Sequence, residues 1–159
     1  MFKSKIAQGE MQVRTKLNII TILLGLCFIC ISTAIYILLR TVDIPVVRFA
    51  ESIGLRNSAI SENAYSIPAW IRFSLPDGLW LLSYEMFVAL LWKYDYKNKF
   101  YILFYLFMPL FAIVCELLQI NGVVRGTFDV ADIICYIVAA ILGLVYCITF
   151  RYLLYEKEK

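Results

Sequence analysis

The sequence predicts an all-α membrane protein: a four-transmembrane-helix bundle with both termini inside and a longer external loop between the first two helices. Three observations predict it. Of 159 residues, 62% are apolar and 17% charged, and mean hydropathy is +0.79, whereas a soluble domain is about half apolar and about a quarter charged. So few polar residues cannot clothe a soluble core, and a 16% aromatic content excludes a solvated disordered coil. Second, the apolar residues gather in four stretches, each near the roughly 20 residues that a helix needs to cross a bilayer. Third, lysine and arginine divide unevenly between the segments joining those stretches. The length fits one integral membrane domain over residues 1–159.

The first span, 17–39, contains no charged residue. Its charged lead resembles that of a signal peptide, but its apolar run is far longer than the roughly 7–15 residues of a signal core, and Ser32-Thr33-Ala34 lies inside it. An uncleaved anchor is expected. In the external segment 40–75, residues 44–55 set Val46, Val47, Phe49, Ala50, Ile53 and Leu55 among Arg48, Glu51 and Arg56. That pattern fits either a short helix on the outer membrane surface or an ordinary connecting loop. Residues 57–63 read as a polar turn, and Ile67-Pro68-Ala69-Trp70 returns the chain to the interface, where Trp is favoured.

The second span, 76–92, is short and carries Asp77 and Glu85; the third, 100–120, has Pro109 midway, a site for a bend. The fourth, 128–150, opens with Asp129 and Asp132. Lys3, Lys5, Arg14, Lys16, Lys93, Lys97, Lys99, Arg151, Lys157 and Lys159 fall on one side, and Arg40, Arg48, Arg56, Arg72 and Arg125 on the other. The positive-inside bias places both termini in the cytoplasm.

The composition also excludes chemistries. With no histidine, His-based zinc sites and Ser-His-Asp triads are absent, and the glycines form no nucleotide-binding pattern. The cysteines (Cys27, Cys30, Cys115, Cys135, Cys147) all lie inside spans and read as small apolar residues. No cofactor or metal is expected, no nucleophile stands out, and the net charge of +3 serves membrane insertion, not a nucleic-acid partner. The expected partners are membrane lipids and a second copy or another membrane protein.

Ionisable residues at membrane depth are costly and mark candidate sites. Asp77 and Glu85, eight residues or about 12 Å apart along a helix, share a face. Glu116 and Gln119 share another at i and i+3, as do Asp129 and Asp132, with Arg125 in the short connection between the last two spans. Continuing from Asp132, the stripe Tyr136, Ala139 or Ala140, Gly143 is small enough to let another helix approach. The acids therefore converge on the outer half of the bundle. Five carboxyls cannot all be ionised in a poorly hydrated pocket beside Arg125 and Arg72, so some must be protonated, screened by water or paired. Pairing of Glu116 or Asp132 with Arg125 is expected. Plainer roles remain open: Asp129 and Asp77 as helix caps, Glu116–Arg125 as a staple between helix ends, and Glu85 as a hydrogen-bonding group between helices.

Glu116, Gln119, Arg125, Asp129, Asp132 and Gly143 together resemble the VanZ-like family of small membrane proteins. The family pattern has Glu and Gln three apart, an Arg in a short loop, and two Asp three apart opening a helix. Here Tyr136 stands at the family's Asn, Ala139 at a usual Gly, and the Arg-to-Asp interval is one residue longer. The resemblance implies a bacterial envelope setting and, by the family's name, a link to glycopeptide (teicoplanin) resistance. Three functions follow as expectations. The first is an outer-leaflet pocket binding an anionic lipid or lipid-linked precursor through Arg125, with Arg72 open as a second clamp. The others are proton- or cation-coupled transport through Glu85 and Asp77, and an accessory subunit assembled by the polar cluster.

Overall fold

The computed structural model describes residues 2–40, 45–55, 66–92 and 99–155, with side chains from 11–40, 47–55, 66–92 and 99–154. The predicted turn at 57–63 and the side chains of Lys3, Lys5, Arg56, Lys93, Lys97, Lys157 and Lys159 lie outside the described residues. Every regular element described is a helix: α1 Phe2–Leu39, α2 Pro45–Ser52, α3 Ala69–Leu91, α4 Lys99–Ile120 and α5 Val130–Tyr155. Three stretches, Met11–Leu39, Lys99–Ile120 and Val130–Leu154, are long and apolar enough to cross a membrane. Even the 22 residues of α4 give about 33 Å of helix, enough for a hydrocarbon core of about 30 Å.

Helix α3 is the central element, packed along α1 on one side and α5 on the other. It begins at Ala69, seven residues before the expected start at Pro76, so Pro76 is inside the helix and Asp77 does not cap it. The Pro-Asp pair reads as a helix start because proline is favoured in a first turn. Here the proline is buried against α1, and its carbonyl accepts a hydrogen bond from the Ser32 hydroxyl at 2.7 Å. Seven residues further along α3, the Ser83 hydroxyl donates to the Gly25 carbonyl at 2.9 Å. The two bonds lie a heptad apart on both helices and in opposite order, so α1 and α3 run antiparallel.

The α3–α5 seam is set by small residues. A Cβ on Gly78 would meet the Cβ of Cys135 at 3.1 Å, and one on Gly143 would meet Glu85. The order of these pairs makes α3 and α5 parallel. Ala139 and Gly143 are buried, so the expected small-residue stripe of α5 does face inward. Helix α4 runs antiparallel to α5: Tyr101 hydrogen-bonds with Cys147, and the Tyr105 hydroxyl donates to the Ala140 carbonyl at 2.6 Å. Pro109 is buried and α4 continues through it.

Residues 45–52 form a helix, which settles the choice left open for 44–55. Among its described side chains Val47 and Ala50, three apart, are buried and Phe49 is exposed, as are Ile53 and Leu55 just beyond the helix. It ends on Gly54 at φ 75°, with Gly54 N–H donating to the Glu51 carbonyl and Leu55 N–H to the Ala50 carbonyl. That pair of bonds satisfies carbonyls a helix end would leave open.

Candidate functional site

The α1–α3, α3–α5 and α4–α5 pairings bring the end of α1, the first half of α3, the end of α4 and the start of α5 to one end of the molecule. Helix α4 stops on a glycine: Gly122 at φ 68° lets its N–H reach the Gln119 carbonyl, and Val123 N–H reaches that of Leu118. Gly126, at φ 149°, lies so close to the Gln119 amide that a Cβ there would clash with it. The amide is thereby held in place, and its Nε2 donates to Glu116 Oε2 at 3.0 Å. Glu116 Oε1 accepts from the backbone N–H of Asp129 at 2.7 Å. Asp129 Oδ1 in turn accepts the Ala131 N–H at 2.8 Å, the N-cap expected for α5.

Glu116, 3% exposed, is therefore the staple between α4 and α5, but through the backbone of Asp129. The expected partner, Arg125, is exposed and makes no hydrogen bond or ion pair among the described residues. The reason is local: the N–H that must be free at the start of a helix sits closer to the carboxylate than a side chain in the turn can.

The cation that acts on the acids is Arg40, whose guanidinium lies within electrostatic range of both Asp77 and Asp132. Its Cζ stands 4.3 Å from the centroid of the Tyr36 ring and 5.7 Å from that of Phe73. Its buried Nε has no hydrogen-bond partner among the described residues. Arg40 reads in the sequence as a topology-setting charge. The signal that distinguishes it is Tyr36, one turn earlier on the same face of α1.

Asp132 faces Arg40 from α5, with its buried Oδ1 unpartnered among the described residues; the Ser74 hydroxyl of α3 neighbours it without well-formed hydrogen-bond geometry. Asp77, half-buried on α3, accepts no hydrogen bond from the described residues. Glu85 sits apart from these groups, deeper along the α3–α5 seam. It is 0% exposed, and neither carboxyl oxygen has a partner among the described residues.

A cavity of about 610 Å³ lies between α3 and α4, with α1 and α5 contributing Ile29 and Tyr136. Asp77, Glu116, Gln119 and Tyr136 line one end of it, while Leu81, Phe87, Met108 and Phe111 line the rest. From Asp77 to Phe87 is ten residues, about 15 Å of helix. Of the residues expected to form a site, Asp77, Glu116 and Gln119 therefore meet in this cavity. Asp129, Asp132, Glu85 and Arg125 are not among the described residues of its wall, although Asp132 acts electrostatically on both Asp77 and Glu116.

Compared with known proteins, the chain matches no family model, no curated protein and no solved structure.

Proposed function

We propose that the chain is a VanZ-like integral membrane protein of the bacterial cytoplasmic membrane that binds the head and upper chain of a membrane lipid or lipid-linked precursor. In this reading α3 is the fourth span of a bundle. The helix directions support it, since α1, α3, α4 and α5 alternate and return both termini to one face, which the lysines mark as cytoplasmic. The charges of α3 are no obstacle, because Glu85 is buried between neighbouring helices and Arg72 and Asp77 lie in the first three turns, toward the outer end. Helix α2 and the turn that follows it, with exposed Phe49, Ile53 and Leu55, lie on the outer surface.

The observation that carries the proposal is the cavity itself: polar at the outer end, apolar over the following two turns and more, and large enough for a headgroup with part of an acyl chain. Of the residues that resemble the family pattern, Glu116 and Gln119 line its polar end. The test is native mass spectrometry of the full chain released from nanodiscs of mixed bacterial lipid. Retained lipid that is lost when Ala112→Trp fills the cavity supports the reading; retention equal in both proteins overturns it.

A second reading, proton- or cation-coupled movement of a solute, draws on Glu85, a fully buried carboxyl with unpartnered oxygens. Proteoliposomes carrying the full chain and a pH-sensitive dye test it. Proton flux lost in Glu85→Gln favours coupling, and flux equal to that of empty liposomes removes it.

A further inference from the structure

The anionic headgroup expected from the sequence relied on Arg125 as its clamp, and Arg125 is exposed, off the cavity wall. Among the described residues, the wall carries two carboxyl groups, those of Asp77 and Glu116, and no Lys or Arg. Asp132 adds its field to both, and Asp129 adds to that at Glu116. Arg40, which acts on Asp77 and Asp132, is engaged with the rings of Tyr36 and Phe73 and does not face the cavity.

We propose that the α3–α4 cavity selects a head that bears an ammonium group, held by Asp77 with the charge of Glu116 beside it, on an amphiphile whose chain runs down the apolar wall. This rests on the reading of the cavity as an amphiphile site and supplies the sign of the head. Two features of the wall favour an ammonium over a neutral polar head. An excess of carboxyl groups in a poorly hydrated space is relieved by a mobile cation more than by a dipole. Trp80, Tyr84 and Tyr136 line the same cavity, and aromatic rings attract ammonium groups that have been stripped of water. The Asp77 carboxyl accepts no hydrogen bond from the described residues, so its lone pairs are available to a ligand, whereas both oxygens of Glu116 are engaged. Asp77 thus makes the direct contact and Glu116 contributes charge.

The test uses the full chain in a maltoside detergent and native mass spectrometry. Dilauroyl phosphatidylethanolamine, phosphatidylglycerol and diacylglycerol, matched in chain, are offered at equal concentration, and dodecyltrimethylammonium is offered separately. The expected result is at least tenfold greater retention of the ethanolamine lipid than of the glycerol lipid. Asp77→Asn should cut that preference about tenfold, and Asp77→Glu should keep it. Binding of dodecyltrimethylammonium without the ethanolamine lipid also supports an ammonium site and assigns it to a free lipophilic amine. Equal or greater retention of phosphatidylglycerol overturns the charge selection while leaving the amphiphile site in place, provided Ala112→Trp removes it. Retention of all probes unchanged by Ala112→Trp overturns the amphiphile site itself.

Discussion

Glu85 fills the space that a side chain at residue 143 would need: a methyl group added to Gly143 would stand 2.6 Å from Glu85 Cβ and 2.8 Å from its Cγ. The stem of the carboxylic acid, not its flexible tip, makes this contact, so the helices themselves must move to admit a larger residue. Gly143→Ala should destabilise the protein by about 1–3 kcal/mol, and Gly143→Ala combined with Glu85→Gly, which removes the clashing Cβ, should cost less than the sum of the two single changes. Thermal unfolding in mild detergent, read by circular dichroism, gives both values. Additive losses in the double variant would refute the contact.

Glu116 and Arg125 offer opposite expectations for two residues that the sequence pairs. Glu116→Ala removes the acceptor for the Asp129 N–H and for the Gln119 amide, and should cost about 1–3 kcal/mol. Arg125→Ala removes an exposed side chain without a partner among the described residues and should stay within about 0.5 kcal/mol of the parent. Comparable losses in the two would restore the ion pair.

Ser32 and Ser83 tie α1 to α3 at two levels. Each Ser→Ala change should cost about 1 kcal/mol, and because the bonds are two turns apart the costs should add. A double variant no worse than either single one would mean that the two bonds do not act independently.

The alternation of helix direction makes a topological prediction. Fluorescent-protein fusions at either terminus should glow, and alkaline phosphatase fusions at the same points should be inactive, because the former works only in the cytoplasm and the latter only outside it. Opposite results at the two termini would remove α3 as a span.

Much of this architecture was legible because bilayer thickness imposes a length that apolar runs reveal. The runs predicted at 17–39, 100–120 and 128–150 each lie within a helix or begin within two residues of one. Helix α3 was harder to read. Its buried positions include Ser74, Pro76, Gly78, Ser83 and Glu85, residues chosen to fit between two neighbours and not to face lipid, so hydropathy understates it. The pairing of Glu116 with Gln119 followed from spacing, because helical periodicity fixes which side chains share a face, whereas Asp77 shares the cavity with them and not with Glu85, the residue that spacing grouped it with. The partner of Glu116 did not follow, since in a turn between helices it is backbone geometry, absent from any residue pattern, that decides which donor arrives first. Arg40 escaped notice for a related reason: its role depends on how α1 is rotated against α3 and α5.

The polar fastenings of α4 sit toward its two ends: Tyr101, Tyr105 and the carbonyl of Phe104 at one, Glu116 at the other. Between them, among the described residues, the segment from Met108 to Cys115 makes no side-chain hydrogen bond to another helix, and Pro109 gives up an internal one as well. Bowing this segment outward breaks no polar contact, so a guest sliding sideways out of the bilayer leaflet would meet resistance from dispersion forces alone. Exchange with the surrounding lipid should accordingly be fast compared with unfolding, and the gate would be the middle of a helix, not a loop.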